Sequence, residues 1–303
     1  MRVSLVVPAY NEELAIKKVV DEALGYVDEI IVVDDGSKDS TAKIVNTNFA
    51  DNTKVKLIRH DTNQGKSAAL RTGIKHSKGE IIIFTDADYT YPASAFPEMI
   101  QKLKEGADLV LGNRFKSNMT MPALNKLGNT IFSLIATYIT CVNINDGQTG
   151  LRAFRRDMFD DLDVNAKNLE YETKMTVKAA KLGYKIDEVP IEYRPRIGQS
   201  KLSPFKDGLK MLSSLVSIAF SETSLLAKTI MLPSLLFVIA GLVTGISSWI
   251  EYINLGAPKH PYYPLITVFA FLIAVQLFSL GLLTDNLTKK LSRIEERMIK
   301  KIK

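Results

Sequence analysis

The chain has 303 residues, 46% apolar and 24% charged, enough to bury a sizeable core and too apolar for a disordered polymer. A single cysteine, Cys141, excludes an intramolecular disulfide and a thiolate metal cluster. The formal charge of +6 comes without a nucleic-acid motif and gathers near two C-terminal apolar runs, which points to anionic lipid head groups and away from nucleic acid.

Through about Arg196, charged and apolar residues are mixed as in soluble domains. Short β-rich runs at residues 3–7, 29–33, 55–59, 81–85 and 109–112 alternate with helical segments at 13–24, 40–48, 66–76 and 92–103, the pattern of an α/β domain with a mostly parallel sheet. Asp39 and Ser40 serve as caps, and Pro92 stands near a helix start. The second half is less regular, with a helix at 124–140, a short strand at 150–155, a helix at 170–182 and a strand at 185–193 interrupted by Pro190. The apolar stretch from Val3 to Ala9 is too short for a secretory signal and runs straight into Asn11-Glu12-Glu13.

Residues 205–221 place Phe205, Leu209, Leu212, Val216 and Phe220 at helical spacing, opposite lysines and serines. Such a helix lies flat in a membrane interface or packs on the globular domain. Residues 229–250 and 262–284 then contain no charged residue, and each run exceeds the roughly 20 residues needed to cross a bilayer core. Trp249, Tyr252, Tyr262 and Tyr263 mark the interfaces of a transmembrane hairpin. Lys289, Lys290, Arg293, Arg297, Lys300, Lys301 and Lys303 follow the second run, whereas the connection offers only Lys259 and His260. The basic tail and the N-terminal domain are therefore expected on the cytoplasmic side of the cell membrane. The expected organisation is a catalytic domain over 1–203, an interfacial helix over 204–224, a hairpin over 225–286 and a tail over 287–303. Gly241 and Gly245 have the spacing of a close helix contact, within one hairpin or between copies in a homo-oligomer.

Ligands of open parallel sheets bind beyond the carboxyl ends of the strands. There the chain carries Pro8-Ala9-Tyr10-Asn11-Glu12, Asp34-Asp35-Gly36-Ser37 and Asp86-Ala87-Asp88. Carboxylates converging on one crevice repel unless a cation joins them, and hard oxygen ligands around an open site suit Mg²⁺ or Mn²⁺ bridging a diphosphate. Asp86 and Asp88 directly follow a buried apolar run, with Asp34 and Asp35 expected on a neighbouring strand. Asp160-Asp161-x-Asp163 follows no such run and reads as a solvated loop. His60, His76 and His260 match no metal-ligand spacing and read as ordinary surface or loop residues. Gly65-Lys66-Ser67 resembles the end of a phosphate-binding loop, but His60 stands where its first glycine belongs. Lys66 is expected to start a helix, with nucleotide contact as the alternative.

The motifs Val-Pro-Ala-Tyr-Asn-Glu (7–12), Val-Val-Asp-Asp-Gly-Ser-x-Asp (32–39), Asn-x-Gly-Lys (63–66), Thr-Asp-Ala-Asp (85–88), Gly-Asn-Arg (112–114), Asp-Gly-Gln-Thr-Gly-Leu-Arg (146–152) and Arg-x-Gly-Gln-Ser-Lys (196–201) together resemble the family 2 glycosyltransferases. More narrowly, the chain is similar to dolichyl- and polyprenyl-phosphate mannose and glucose synthases. The resemblance implies a GT-A fold, a nucleotide-diphosphate sugar donor and a dolichyl or polyprenyl phosphate acceptor in a lipid bilayer. It implies that Pro8, Tyr10, Glu12, Val33 and Asp35 hold base and ribose, and that Asp86, Ala87 and Asp88 form the diphosphate site, with Asp86 and Asp88 as metal ligands. It further implies that Arg114 meets a phosphate, that Arg196 and Lys201 lie on a closing loop, and that Asp146, Gln148, Thr149 and Arg152 line the donor-sugar side. Thr90 departs from a glutamine found in some mannose synthases, and Lys126 stands near the place of an arginine in some relatives' acceptor site.

No histidine dyad is needed for such a transfer. A phosphate monoester has a second pKa of about 6 and is already largely dianionic at neutral pH. Direct displacement with inversion is the expected course. A processive polysaccharide synthase would carry Gln-x-x-Arg-Trp, whereas the only tryptophan here is Trp249. An inactive membrane scaffold would have no reason to keep mutually repelling carboxylates together. The donor stays open among GDP-mannose, UDP-glucose and UDP-N-acetylglucosamine.

Overall fold

The computed structural model describes residues 1–116, 142–162, 170–198, 223–257 and 259–302, together with residues 129, 130, 133, 134, 136, 137 and 140. The chain divides into two compact units, Met1–Leu215 and Val216–Lys303.

The first unit is built on strands β1 (Val3–Ala9), β2 (Glu29–Asp34), β3 (Val55–Arg59), β4 (Ile81–Phe84), β5 (Leu109–Asn113), β6 (Arg152–Arg155) and β7 (Ile186–Pro190). They form one sheet in the order β3-β2-β1-β4-β6-β5-β7. β1 to β4 are parallel, β5 pairs in parallel with β7, and β6 runs antiparallel to both of its neighbours. β2 and β4 are buried along their whole length, as expected for strands covered on both faces. Helices α1 (Ile16–Ala23), α2 (Thr41–Phe49), α3 (Lys66–His76) and α4 (Phe96–Lys104) make the crossovers, and α5 (Arg156–Leu162) and α6 (Glu170–Lys181) follow β6.

The main core gathers Leu5, Val7, Ile16, Val20, Ile30, Val32, Ile83 and Phe96, while Ile31, Val33 and Ala69 form a second cluster. Gly73 lets α3 approach β1 and β2 closely, since a Cβ there would run into Val6 and sit 3.2 Å from Val33 Cγ2. The chain moves outward through β1, β2 and β3, then returns to place β4 on the other side of β1. That reversal opens a crevice at the carboxyl ends of β1 and β4.

Local chemistry shifts several predicted boundaries. α1 starts at Ile16 because the Glu12 carbonyl accepts from Ala15 and Ile16 N–H after a left-handed turn at Asn11 (φ 52°). The segment after Pro92 begins as a 3-10 turn, Ala93–Ala95, before α4. Asp160 and Asp161 belong to α5, not to a solvated loop, and Asp163 lies outside the described residues. So do Lys126, Lys201, most of the predicted helix at 124–140 and the amphipathic segment 205–221.

The second unit is a pair of helices, α7 (Leu225–Leu255) and α8 (Tyr263–Ile302). Leu225–Leu255 and Tyr263–Thr288 are long and apolar enough to cross a membrane, and their leucines, isoleucines and phenylalanines are largely exposed. α7 starts at Ser224, whose side chain accepts from Ala227 N–H and whose own N–H donates to the buried Asp285 carboxylate on α8 at 2.7 Å. It ends at Gly256, at φ 72°. Gly241 faces the ring of Phe271 and Gly245 faces Thr267, each with 3.2 Å to an added Cβ, and the Thr244 and Thr267 hydroxyls lie 2.8 Å apart. The two glycines thus serve a contact within the chain.

Candidate active site

Asp86 and Asp88 follow β4 into the crevice, and each is held by cations from distant elements. Lys66, the first residue of α3, brings its Nζ to 2.5 Å from Asp86 Oδ1 and 2.7 Å from Glu172 Oε1 on α6. Arg196 brings Nη1 to 3.1 Å from Asp88 Oδ2, and its Nη2 donates to the Glu12 carboxylate. The segment carrying Arg196 is strapped to the loop after β4, because Arg194 N–H donates to the Thr90 carbonyl at 2.9 Å and Ile197 N–H to the Asp88 carbonyl at 3.1 Å. Arg194 itself forks onto Glu22 at 2.7 and 3.0 Å and lies over the Tyr89 ring.

Thr90 fixes the Asp88 carboxylate with two donors, its hydroxyl at 2.6 Å and its N–H at 3.1 Å, both to Oδ1. Burial, then the adjacent Asp86 charge, still push the Asp88 carboxyl above the usual range, against the Thr90 bonds and Arg196. For Lys66, burial works against the charge, yet Asp86 and Glu172 together hold the ammonium well above its ordinary value. Gly150 backs Asp86 so closely that a Cβ there would overlap its carboxylate.

Asp34 and Asp35 behave differently from the sequence expectation. β1 stands between β2 and β4, so they are not on a strand neighbouring Asp86. Their charges are also already engaged. Asp35 is buried and accepts from Gln64 N–H at 2.9 Å and Gly65 N–H at 2.8 Å, with His60 Nδ1 at 2.7 Å. Asp34 accepts from Ser37 N–H and pairs with Arg59. His60 is accordingly no surface residue: it is buried between Asp35 and Thr72. His76 is an exposed helical residue whose Nδ1 lies 2.8 Å from the Thr72 carbonyl, and His260 lies in the hairpin turn beside Glu251 and Tyr262.

Among the other predicted contacts, Pro8 and Val33 are register partners across β1 and β2. Pro8 and Tyr10 are half-buried, Ala87 is buried, and the Val33 side chain faces the cluster under α3. Arg114 is buried and bidentate to Asp146, with Nε and Nη2 both at 2.8 Å, while its N–H donates to the same carboxylate at 3.0 Å. Glu188 on β7 accepts from the Asn145 and Asp146 N–H groups and anchors the start of this loop. Arg152 is fully buried, donating to the carbonyls of Thr149 and Gly147 and to the Thr176 hydroxyl. Burial draws its guanidinium down to about 10, against the fields of Glu172 and Asp146. Thr149 is buried, Gln148 is half-buried, and Gly150 N–H donates to the Tyr91 hydroxyl at 2.7 Å. The segment Asp146–Arg152 is thus a braced wall of the crevice.

Glu12, Asp86, Asp88 and Arg196 are brought together as one charged cluster, joined by two residues outside the predicted set, Lys66 and Glu172. Gly-Lys at a helix start is the local signal for Lys66. Glu172 carries no such signal, because only the fold brings α6 to α3.

The family model for glycosyl transferase family 2 matches residues 4–163. The chain belongs to this family. A dolichyl-phosphate hexose transferase of Haloferax volcanii is 33% identical over 223 residues, covering 72% of this chain and 94% of the relative. The glycosyltransferase AglJ of the same organism is 29% identical over 312 residues, 97% of both chains. Glucosyl-3-phosphoglycerate synthase from Mycobacterium tuberculosis, solved with Mn²⁺, UDP and glucosyl-3-phosphoglycerate, superposes with a TM-score of 0.57 at 22% identity, over 71% of this chain and 79% of that one. The mostly parallel sheet with one antiparallel strand is the GT-A fold, and the resemblance read from the motifs holds. The protein is a glycosyltransferase.

Proposed function

We propose that this glycosyltransferase moves a sugar from a nucleotide-diphosphate donor, GDP-mannose, UDP-glucose or UDP-N-acetylglucosamine, to dolichyl or another polyprenyl phosphate, with inversion at the anomeric carbon. The observation that carries the reading is the pair of carboxylates at the end of β4, each drawn to a cation at the mouth of a crevice where phosphates need positive charge. The lipid acceptor is supported by two bilayer-length helices in the same chain and by a relative named for dolichyl phosphate.

Mg²⁺ or Mn²⁺ is the proposed cofactor, and the donor set fits it. Among the described residues no group of three His, Cys, Asp or Glu side chains is arranged to hold a metal ion by itself. Two hard carboxylates, Asp86 and Asp88, leave coordination open for diphosphate oxygens, which is how such ions are usually held in nucleotide sites. Burial first, and the neighbouring Asp86 charge second, disfavour a bare carboxylate at Asp88, and a cation there relieves both. When bound, the ion supplies Lewis-acid neutralisation of the departing diphosphate.

The protein groups do the rest by orientation and charge. Pro8, Tyr10 and Glu12 take the base and ribose side with the backbone of Val33, and Asp35 acts through Gln64 and Gly65, whose N–H groups it holds. Ala87 allows close approach of the diphosphate. Gln148 faces the sugar, while Asp146 and Thr149 shape that side from within the wall, Asp146 fixed by Arg114 and Thr149 by Arg152. Arg196 turns from Asp88 and Glu12 to the two phosphates, and Lys201 joins it from the same segment. The acceptor oxygen forms its bond to the anomeric carbon as the bond to the nucleoside diphosphate breaks, and that diphosphate leaves with the electron pair. The dianionic acceptor has no proton to lose, so no general base is required.

The hairpin is proposed to span the cell membrane with the catalytic domain and the basic tail on the cytoplasmic side. The test is to incubate the full chain in detergent with dolichyl phosphate, Mn²⁺ or Mg²⁺ and each labelled sugar nucleotide, then to analyse the lipid fraction. One donor is expected to give a lipid-linked sugar of inverted configuration. Retention of configuration overturns the displacement mechanism.

A further inference from the structure

Lys66 and Glu172 lie outside the roles assigned so far, and their geometry carries an inference that rests on the metal site proposed above. The Lys66 ammonium is shared between Asp86 at 2.5 Å and Glu172 at 2.7 Å. Its side chain is 27% exposed, and that of Glu172 only 5%. Glu172 uses Oε1 for Lys66, while its Oε2 is buried with no hydrogen-bond partner. A buried carboxylate oxygen left unsatisfied is costly and calls for a donor. The Lys66 ammonium, already on Oε1 of the same carboxylate, has three N–H groups to offer. Gly150 lies against the Asp86 carboxylate, where an added Cβ would meet Oδ2.

We infer that Lys66 is a resident counter-cation of Asp86 and that Glu172 is the positioning residue that receives it: when a divalent cation binds Asp86 and Asp88, the Lys66 ammonium moves off Asp86 onto both oxygens of Glu172. The exchange keeps the charge of the pocket nearly balanced in both states. Without the cation, Lys66 screens the repulsion between Asp86 and Asp88. With it, Glu172 keeps the displaced ammonium from being stranded beside a second positive charge in a partly buried site, where like charges interact strongly.

Removing the receiving carboxylate leaves Asp86 as the only anion for Lys66, so the ammonium competes harder with the metal. Mn²⁺ binding to the full chain in detergent is read from loss of the free-ion electron paramagnetic resonance signal, without donor, acceptor or turnover. Glu172→Gln is expected to weaken Mn²⁺ binding roughly fivefold or more, within the usual range of coupling between sites. In a Lys66→Met background the same Glu172→Gln change is expected to alter binding by about twofold at most, because no ammonium then needs a seat. Equal weakening in both backgrounds means that Glu172 acts only through its field on the metal, and overturns the exchange. The double variant removes the ammonium and the buried carboxylate together, so the Glu172 position carries no unpaired charge, and Asp86, with 29% of its side chain exposed, keeps access to water. Asp86→Asn and Asp88→Ala separate the metal site from the ammonium exchange. If they abolish Mn²⁺ binding while Glu172→Gln does not weaken it, the exchange alone falls. If the wild-type chain binds no Mn²⁺, or binds it as well with these carboxylates removed, the metal site falls and the exchange with it.

Discussion

Arg196 pairs with Asp88 at 3.1 Å and with Glu12 at the same time, so one guanidinium ties the loop after β4 to the loop after β1 across the crevice. The two carboxylates arrive from strands adjacent in the sheet and far apart in sequence, and the planar guanidinium presents a separate nitrogen to each. Arg196→Lys should therefore behave like Arg196→Ala, with kcat/KM for sugar transfer reduced about 100-fold in either variant, the scale of losing one electrostatic stabiliser. Steady-state kinetics check this, and near-wild-type turnover by Arg196→Lys would show that a point charge suffices.

Gly150 is set by its neighbour and not by backbone conformation. A Cβ there would lie 2.9 Å from Asp86 Cγ and overlap the carboxylate itself. Gly150→Ala should raise the Mn²⁺ concentration needed for half-maximal transfer about tenfold or more, while moving the thermal midpoint by only a few degrees, because the wall can shift more easily than the metal site can tolerate. Metal titrations and melting curves on the same preparation measure both effects.

Much of the fold is legible in the sequence because of how β1, β2 and β4 are buried. Covered on both faces, they read as near-continuous apolar runs, broken in β1 only by Ser4, and the polar groups after each run mark the crevice mouth. β6 is also visible as a strand, but its antiparallel direction depends on pairing Phe84 with Arg152, which no local pattern encodes. The site is legible in part for the same reason. Asp86 and Asp88 follow a strand, whereas the partners that balance them come from 20 to more than 100 residues away and depend on the fold. For Asp34 and Asp35 a strand-end position suggests a strand next to Asp86 until β1 is seen between β2 and β4, and His60 is seen closing on Asp35.

The Arg114–Asp146 pair is buried and bidentate, so breaking it from one side leaves an uncompensated charge. Asp146→Asn is expected to destabilise the catalytic unit by about 3–5 kcal/mol, and Arg114→Met combined with Asp146→Leu by clearly less, since the pair's desolvation cost disappears with it. Denaturant unfolding of the single and double variants gives the comparison. Equal losses in all of them would mean that packing, not charge pairing, holds this wall.

Glu22 anchors the segment leading to Arg196 through its fork with Arg194. Burial alone would raise its carboxyl, but the Arg194 hydrogen bonds and charge bring it below its ordinary value of 4.5. A carboxyl lowered in the folded state adds stability that is present above the ordinary value and is lost as pH falls through the folded one. Glu22→Gln should therefore cost about 1 kcal/mol at pH 7, the scale of a partly exposed pair, and the difference from wild type should close in the acid range under 4.5. Unfolding curves across that range test it, and a difference independent of pH would assign the anchoring to the Ala93 N–H contact instead.

The most direct measurement is transfer of labelled sugar from a nucleotide donor into dolichyl phosphate by the purified full chain, run side by side with Asp88→Ala in the same micelles. Label is expected in the lipid fraction for at least one donor, dependent on Mn²⁺ or Mg²⁺, with a loss of at least about 100-fold in the variant. Undiminished transfer by Asp88→Ala, or no transfer from any donor by folded wild-type protein with lipid acceptor and metal supplied, would contradict it.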